Sequence, residues 1–157
     1  MKNNEQTIKQ IVNITGAKMN KFLTIIISLY LCSGVALAVN VNSYNKYGSK
    51  TGSYKTNGST ITSYDKYGSK TGSYKTQGST TTSYDKYSSK TGSYRTHGNT
   101  TTQYDKYGSK VGSYKTDSNG VTTSYDKYGR KTGYFKTDSS GRTVEYNKYG
   151  QKVGSYK

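Results

Sequence analysis

A segment of about twenty residues is repeated six times and fills most of this chain. Each copy opens on the pattern Tyr-x-Lys-Tyr, and the copies begin at Tyr44, Tyr64, Tyr84, Tyr104, Tyr125 and Tyr146. The first two copies then continue as Gly-Ser-Lys-Thr-Gly-Ser-Tyr-Lys-Thr, and the other four carry close variants of this segment. A fixed period of this length is typical of proteins that repeat one supersecondary unit many times. The chain is therefore predicted to be an array of six like units.

Each repeat reads as two short β-strands joined by a specified turn. In the second copy, residues 59–64 and 70–76 are runs of β-favouring Thr, Ser and Tyr, with Asp65-Lys66-Tyr67-Gly68 between them. Asp suits the first turn position because its carboxylate can accept hydrogen bonds from nearby amides, and Gly can take the positive φ of a bulge-type loop. The dipeptides Asn57-Gly58, Gln77-Gly78 and His97-Gly98 predict hairpin turns between repeats.

The predicted loop sets an expected register for the hairpin. If Lys66, Tyr67 and Gly68 form a three-residue loop, the expected pairs are Tyr64 with Lys70, Thr62 with Gly72 and Thr60 with Tyr74. This register places Tyr64 and Tyr74 on one face, and it places on the other face Ile61, Ser63, Thr71 and Ser73. In the last two copies the linking dipeptide becomes Asp117-Ser118-Asn119-Gly120 and Asp138-Ser139-Ser140-Gly141, and this change in length predicts a surface loop.

Composition makes tyrosine the main candidate for the core. The chain has 19 tyrosines and no proline or tryptophan, and its formal net charge is +16. Aliphatic side chains are few after residue 38, and they are Val39, Val41, Ile61, Val111, Val121, Val144 and Val153. Low hydrophobicity with high charge is also typical of disorder, which is the alternative to a tyrosine-packed sheet.

The N-terminal region has the layout of a secretory signal peptide. An apolar run at 22–37 follows Met19-Asn20-Lys21 and ends on Ala36-Leu37-Ala38, so we expect the true start at Met19 and cleavage after Ala38. An uncleaved membrane anchor is the alternative. Cleavage would remove the single cysteine, Cys32, and leave no membrane span and no disulfide. The expected domains are the extension with its signal helix at 1–38 and the β domain at 39–157.

The last copies resemble a known repeat family. Tyr125-Asp126-Lys127-Tyr128-Gly129-Arg130, the segment Asp138-Ser139-Ser140-Gly141-Arg142-Thr143 and Tyr146 are similar to the Tyr-Asp (YD, or RHS-type) repeats of bacterial secreted and surface proteins, whose pattern is Tyr-Asp-x-x-Gly-Arg. The other copies depart from this pattern. Asn45 and Asn147 replace the Asp, Ser88 replaces the Gly, and the Arg position holds Ser49, Ser69, Ser89, Ser109 or Gln151. The resemblance implies antiparallel hairpins wound into a broad sheet, and surface or carbohydrate association. The chain is also similar to short, secreted, uncharacterised bacterial proteins made only of such units.

The sequence predicts no enzyme, no cofactor and no metal site. His97 is the sole histidine and occupies a turn position that holds Asn57 or Gln77 in other copies. Backbone capping explains the acids that recur at turn starts, namely Asp65, Asp85, Asp105 and Asp126. Calcium binding by these carboxylates is disfavoured because each turn has one acid and lysine is in excess.

The stronger signal is the alternation of basic and aromatic residues. Lys46, Lys66, Lys86, Lys106, Lys127 and Lys148 each precede a turn tyrosine. The candidate ligand surface comprises Tyr64, Lys66, Tyr67, Tyr74, Lys75, Tyr84, Lys86, Tyr87, Tyr94, Arg95, Tyr104, Lys106, Tyr107, Tyr114 and Lys115. Lysine can neutralise phosphate or sulfate, and tyrosine can stack on sugar rings or bases.

We therefore expect a secreted noncatalytic protein, periplasmic or extracellular and associated with the cell surface or matrix, that binds anionic polysaccharide or another cell-envelope polymer. Nonspecific binding of nucleic acid is a further expected property. The alternative is a fibre-forming subunit that self-associates through strand edges. An equally weighted alternative is that no ligand binds, and that the tyrosines pack the sheet while the lysines keep the protein soluble. Ice binding, prompted by Thr80-Thr81-Thr82, ranks lower because alternate strand residues face opposite sides.

Overall fold

The computed structural model describes residues 40–157, and these residues form twelve β-strands. The predicted start at Met19, the signal helix and the cleavage after Ala38 lie outside the described residues. The strands are β1 (Asn40–Asn45), β2 (Lys50–Asn57), β3 (Thr60–Asp65), β4 (Lys70–Gln77), β5 (Thr80–Asp85), β6 (Lys90–His97), β7 (Thr100–Asp105), β8 (Lys110–Thr116), β9 (Thr122–Asp126), β10 (Lys131–Thr137), β11 (Thr143–Asn147) and β12 (Lys152–Tyr156).

The twelve strands form one closed antiparallel barrel. Each strand pairs with its neighbours in sequence, and β1 closes the ring by pairing with β12. The predicted all-β array of hairpin repeats is thus confirmed, and the sequence had left open whether the array would be an open sheet, a solenoid or a barrel. No helix long and apolar enough to cross a membrane occurs among residues 40–157.

Six like turns join the two strands of each repeat at one end of the barrel, which we call the turn end. In the second copy, the amide of Asp65 donates to the Ser69 carbonyl at 2.9 Å, and the Gly68 amide donates back to the Asp65 carbonyl at 3.2 Å. Lys66, Tyr67 and Gly68 therefore form the expected three-residue loop, and Gly68 has the expected positive φ, at 88°. The predicted turn chemistry is confirmed.

The turns at the opposite end are of two kinds. Asn57 pairs with Thr60, so the two central residues of the first turn are Gly58 and Ser59 rather than Asn57 and Gly58. Gly58 has φ 54°, and glycine with positive φ at the first central position is typical of a type II′ turn. Asp117 and Asp138 instead begin three-residue loops like those of the turn end, since their amides donate to the carbonyls of Val121 and Arg142. The extra residue in the last copies therefore lies in an exposed turn, as predicted.

A β-bulge corrects the predicted register. Tyr64 lies opposite Lys70 as expected, but Ser63 then lies opposite Gly72 and Ile61 opposite Tyr74. The predicted pairs of Thr62 with Gly72 and of Thr60 with Tyr74 are wrong, because Thr71 is an extra residue in β4 and shifts the pairing by one. A shift of one residue in the pairing moves the side chains that follow it to the opposite face of the sheet. Tyr64 therefore points outward, whereas Tyr74 points inward with Ile61 and Ser63.

Aromatic side chains from the even-numbered strands form the core inside the barrel. The buried members of this set are Tyr54, Tyr74, Tyr94, Tyr114, Phe135 and Tyr156. Small interior residues from the odd-numbered strands lie beside them, and Tyr54 is opposite Ser63 while Tyr74 is opposite Ser83. Buried threonines also pair, as Thr76 and Thr81 do through hydroxyls 2.8 Å apart. The predicted tyrosine core therefore exists, although it contains only one tyrosine or phenylalanine from each repeat.

Candidate binding surface at the turn end

Six exposed lysine and tyrosine pairs project from the turn end. We call this ring the turn crown, and it consists of Lys46 with Tyr47, Lys66 with Tyr67, Lys86 with Tyr87, Lys106 with Tyr107, Lys127 with Tyr128 and Lys148 with Tyr149. The six tyrosines are between 71% and 82% exposed. In every pair the lysine Nζ lies over the ring of the next residue, 4.7–4.8 Å from its centroid. Such contacts at exposed sites stabilise by about 0.5–1 kcal/mol, so they bias the side-chain conformations without fixing them.

Each pair stands on a turn whose backbone is held by the residue that begins it. Oδ1 of Asp65 accepts hydrogen bonds from the amides of Tyr67 and Ser69, both at 2.9 Å. Asn45 and Asn147 make the same two bonds with their amide oxygens. The substitution of Asp by Asn in the first and last copies is therefore neutral for turn geometry, and all six turns present their lysine and tyrosine alike.

The fifth turn differs because it also carries an ion pair. The Nε atom of Arg130 donates to Oδ2 of Asp126 at 2.7 Å, and Oδ1 accepts from the Arg130 and Tyr128 amides. The backbone hydrogen bond from Arg130 is the main reason that the pKa of Asp126 lies below its usual value, and the guanidinium of Arg130 adds to this effect. Asp138 and Arg142 repeat the arrangement at the opposite end of the barrel.

The surface of the barrel is strongly cationic and little neutralised. Every lysine and arginine among residues 40–157 is exposed. Within this part of the chain only two ion pairs form, Arg130 with Asp126 and Arg142 with Asp138. The six lysines of the turn crown are thus close to tyrosine rings and to water rather than to carboxylates, which leaves their charge available to an anionic partner.

The structure divides the predicted ligand-surface residues among three locations. The turn crown contains Lys66, Tyr67, Lys86, Tyr87, Lys106 and Tyr107. The outer wall of the barrel contains Tyr64, Lys75, Tyr84, Arg95, Tyr104 and Lys115, with the Arg95 guanidinium 5.5 Å from the ring centroid of Tyr104. The interior contains Tyr74, Tyr94 and Tyr114, which are 4%, 1% and 3% exposed and therefore belong to the core rather than to a surface.

Ring closure adds a relationship that the linear repeat does not contain. Because β1 pairs with β12, the first and sixth turns become neighbours. The crown is consequently a closed ring of six pairs that includes the turns of copies one, five and six. The turns of copies one, five and six could have been included from the sequence, because each contains the same Lys-Tyr dipeptide as the other three.

The crown presents cationic and aromatic side chains to the solvent. No group of three or more His, Cys, Asp or Glu side chains able to hold a metal ion occurs in the described part of the chain. His97 is exposed at the opposite end from the crown. Lysine ammonium groups and the faces and hydroxyls of tyrosine rings are suited to many weak contacts with a charged polymer.

A scan of protein-family models and a search of curated protein sequences found no match to this chain. The similarity to Tyr-Asp repeats therefore rests on the quoted motifs alone, and it stays an expectation.

Proposed function

We propose that this protein is an exported, noncatalytic binding protein that captures anionic polymers, such as acidic polysaccharides of a cell surface or matrix, at the turn crown. The observation that carries the proposal is the ring of six lysine ammonium groups over exposed tyrosine rings at one end of the barrel. Export rests on the signal-like segment that ends at Ala38.

Repetition explains how weak contacts could give useful affinity. A single exposed lysine contributes little, but six turns in a ring allow a flexible polyanion to engage several at once, and the later contacts are then intramolecular. Binding of this kind releases counterions and weakens steeply with salt. No base-reading arrangement is present at the turns in residues 40–157, so nucleic acid would bind through its phosphates and without sequence preference.

The proposal is tested by two charge-matched variants of the processed protein. In the crown variant, glutamine replaces Lys46, Lys66, Lys86, Lys106, Lys127 and Lys148. In the wall variant, glutamine replaces Lys55, Lys75, Arg95, Lys115, Lys136 and Lys157, which are exposed cations of the even-numbered strands and the residue after β12. Both variants lose six positive charges, so a difference between them reports position rather than net charge.

Binding to dextran sulfate would be measured by calorimetry across a salt series, with duplex DNA as a second polyanion and dextran as the uncharged reference. We expect the crown variant to lose most of its affinity and salt dependence, with the slope of log K against log salt falling by about one for each contacting lysine removed. The wall variant should lose much less. Equal losses in the two variants, or no binding of the unaltered protein at low salt, would refute the crown as the binding surface.

Fibre formation is less favoured by the closed barrel. Every strand among residues 40–157 has a neighbour on both sides, so edge-to-edge addition of a second copy requires that the pairing of β1 with β12 first opens. Ice binding also has little support, because Thr81 is fully buried and the outward-pointing threonines of that strand, Thr80 and Thr82, lie next to the exposed cations Arg95 and Lys75.

A further inference from the structure

A cavity of about 300 Å³ lies within the barrel, between strands β1 to β6. Asp65 and Asp85, which begin the second and third turns, line it, so the cavity reaches the turn end. Its volume is at the lower limit of about 300–1,000 Å³ that is usual for small-molecule sites, which corresponds to a single ring rather than a polymer.

Paired hydroxyls line one part of this cavity. The Thr51 hydroxyl donates to Oγ of Ser43, and the Thr71 hydroxyl donates to Oγ of Ser63, both at 2.9 Å. A hydroxyl that accepts one hydrogen bond keeps its own hydrogen, so each of these serines can still donate to a ligand. The β-bulge is responsible for the pairing, because it adds Thr71 to β4 beside Ser63.

Carboxylate oxygens and aromatic rings complete the lining. Oδ1 of Asp65 and Oδ1 of Asp85 hold the turn amides, and Oδ2 of each makes no hydrogen bond to another residue of the described chain. Tyr54 and Tyr74 also line the cavity. Hydroxyl donors, carboxylate acceptors and an aromatic surface together form the combination that an uncharged polyol ring requires, since it presents several hydroxyls and patches of C–H groups.

Two other copies carry different residues at two positions whose counterparts in the first three copies lie at or beside this cavity. At the interior position of Ser43, Ser63 and Ser83, the fourth and sixth copies carry Gln103 and Glu145. These longer side chains accept hydrogen bonds from the hydroxyls of Tyr114 and Tyr156. At the position of Thr51, Thr71 and Thr91, the same two copies carry Val111 and Val153. The first three copies thus keep small hydroxyl residues at both positions, whereas the fourth and sixth copies carry a longer polar side chain at the first position and valine at the second.

We propose that this cavity is a binding site for one uncharged, hydroxyl-rich ring of pyranose size, such as a neutral monosaccharide unit. The two carboxylates disfavour anions here, so the site is distinct from the turn crown and does not depend on the function proposed for the crown. The serines donate to ring hydroxyls, Oδ2 of Asp65 and Oδ2 of Asp85 accept from them, and an aromatic ring contacts a C–H face. A site of this size and polarity has an expected dissociation constant on the order of 1 mM.

Suitable test substitutions can be taken from other copies of the repeat, which carry different residues at the equivalent positions. Ser63→Gln copies Gln103 into the cavity and is expected to fill it, and Thr71→Val copies Val111 and removes the donor to Ser63. Ser124→Gln is the matched control, since Ser124 occupies the equivalent position in the fifth copy and does not line the cavity. All three replacements use a residue that the barrel accommodates at the same position of another repeat.

The measurement is an amide NMR titration of the processed protein with glucose, galactose, mannose and N-acetylglucosamine, taken well above about 1 mM. We expect at least one of these sugars to shift resonances of Ser43, Ser63 and Thr71 with saturation, independently of salt. Ser63→Gln should lower the affinity at least about tenfold, and Thr71→Val by a smaller factor. Ser124→Gln and the crown variant should bind as the unaltered protein does, so failure of the crown proposal would not affect this result.

Two results would overturn the proposal. The first is the absence of saturable shifts at the cavity residues with all four sugars. The second is binding that Ser63→Gln and Ser124→Gln weaken equally, because the sugar would then not occupy the cavity. The dispersion of the amide spectrum of each variant verifies that the barrel is folded in the same experiment.

Discussion

The hydroxyl of Tyr156 donates a hydrogen bond to Oε2 of Glu145 inside the barrel. Glu145 occupies the interior position that is serine in four other copies. Burial raises the pKa of Glu145, and the hydrogen bond from Tyr156 opposes this rise only in part. Burial and the nearby carboxylate also raise the pKa of Tyr156, so the phenol stays protonated and continues to donate. The interior therefore contains an acidic group whose charged form is disfavoured by folding.

This carboxyl predicts a pH-dependent stability difference between the protein and its Glu145→Gln variant. Because the folded-state pKa lies above the unfolded-state value, the contribution of Glu145 is fully present below about pH 4.3 and is lost as the pH rises through the folded-state pKa. Glutamine can accept from Tyr156 without a charge, as Gln103 does from Tyr114. We expect the two proteins to have similar melting temperatures at about pH 4 and the variant to be the more stable at about pH 7. Thermal denaturation across this range checks the sign, and a relative gain by the unaltered protein as pH rises would contradict it.

Ser88 predicts a stabilising substitution. It is the one non-glycine residue with positive φ among residues 40–157, at 69°, and the other five turns of the turn end have glycine at this position. The left-handed conformation costs an L-residue about 1–2 kcal/mol, and the greater freedom of glycine in the unfolded chain offsets part of this. Ser88→Gly should therefore raise the free energy of unfolding by about 0.5–1 kcal/mol. Gly68→Ser is the reverse control and should lower the free energy of unfolding by a similar amount, as measured by urea unfolding. If both substitutions changed the free energy of unfolding in the same direction, this explanation would be excluded.

Two tyrosines of the third copy should respond oppositely to truncation. Tyr94 is 1% exposed in the core, whereas Tyr87 is 77% exposed in the turn crown. Tyr94→Ala should destabilise the barrel by about 3–5 kcal/mol, because it removes a buried ring and leaves a cavity. Tyr87→Ala should change stability by less than about 1 kcal/mol, mainly through loss of the contact with Lys86. Denaturant unfolding measures both, and comparable losses would mean that the exposed ring contributes to packing.

Replacement of interior glycines by alanine is expected to destabilise the barrel by different amounts at different positions. A Cβ at Gly92 would lie 2.6 Å from the carbonyl oxygen of Tyr104 on the next strand, whereas a Cβ at Gly154 would lie 3.0 Å from that of Tyr44. The first distance requires backbone movement. Gly92→Ala should thus destabilise by about 1–3 kcal/mol, and Gly154→Ala by less. Melting temperatures provide the ranking, and an equal or reversed order would show that the sheet adjusts freely at these positions.

Local chemistry explains which parts of the fold the sequence predicted. The Asp65 turn, its three-residue loop and the positive φ of Gly68 depend on contacts within five residues, so the residue types determine them. The pairing of Tyr64 with Lys70 follows directly from this loop. The pairing beyond Thr71 failed because nothing in a single repeat distinguishes a bulged threonine from a regular one. The prediction that Tyr74 shares a face with Tyr64 failed for the same reason. Tyr74, Tyr94 and Tyr114 were therefore assigned to the ligand surface, although they are core residues.

The candidate binding features divide in the same way. The lysines and tyrosines of the turn crown were predictable because a turn tip is exposed whatever the sheet does. The cavity was not predicted, and its signal in the sequence was the replacement of Ser and Thr at two positions of the repeat by Gln103, Val111, Glu145 and Val153. These replacements could be interpreted only after the structure had shown that Gln103 and Glu145 accept hydrogen bonds from the core residues Tyr114 and Tyr156.

The sequence by itself determined the repeat unit, the chemistry of its turns and the exposure of the Lys-Tyr tips, since each depends on residues close together along the chain. The tertiary structure decided which tyrosine of each repeat is buried, because the bulge that exchanges the faces is stabilised by pairing between strands. It also decided that β1 meets β12, so that six linear repeats become a ring with an interior. Closure depends on the summed twist and stagger of all twelve strands, which no single repeat contains.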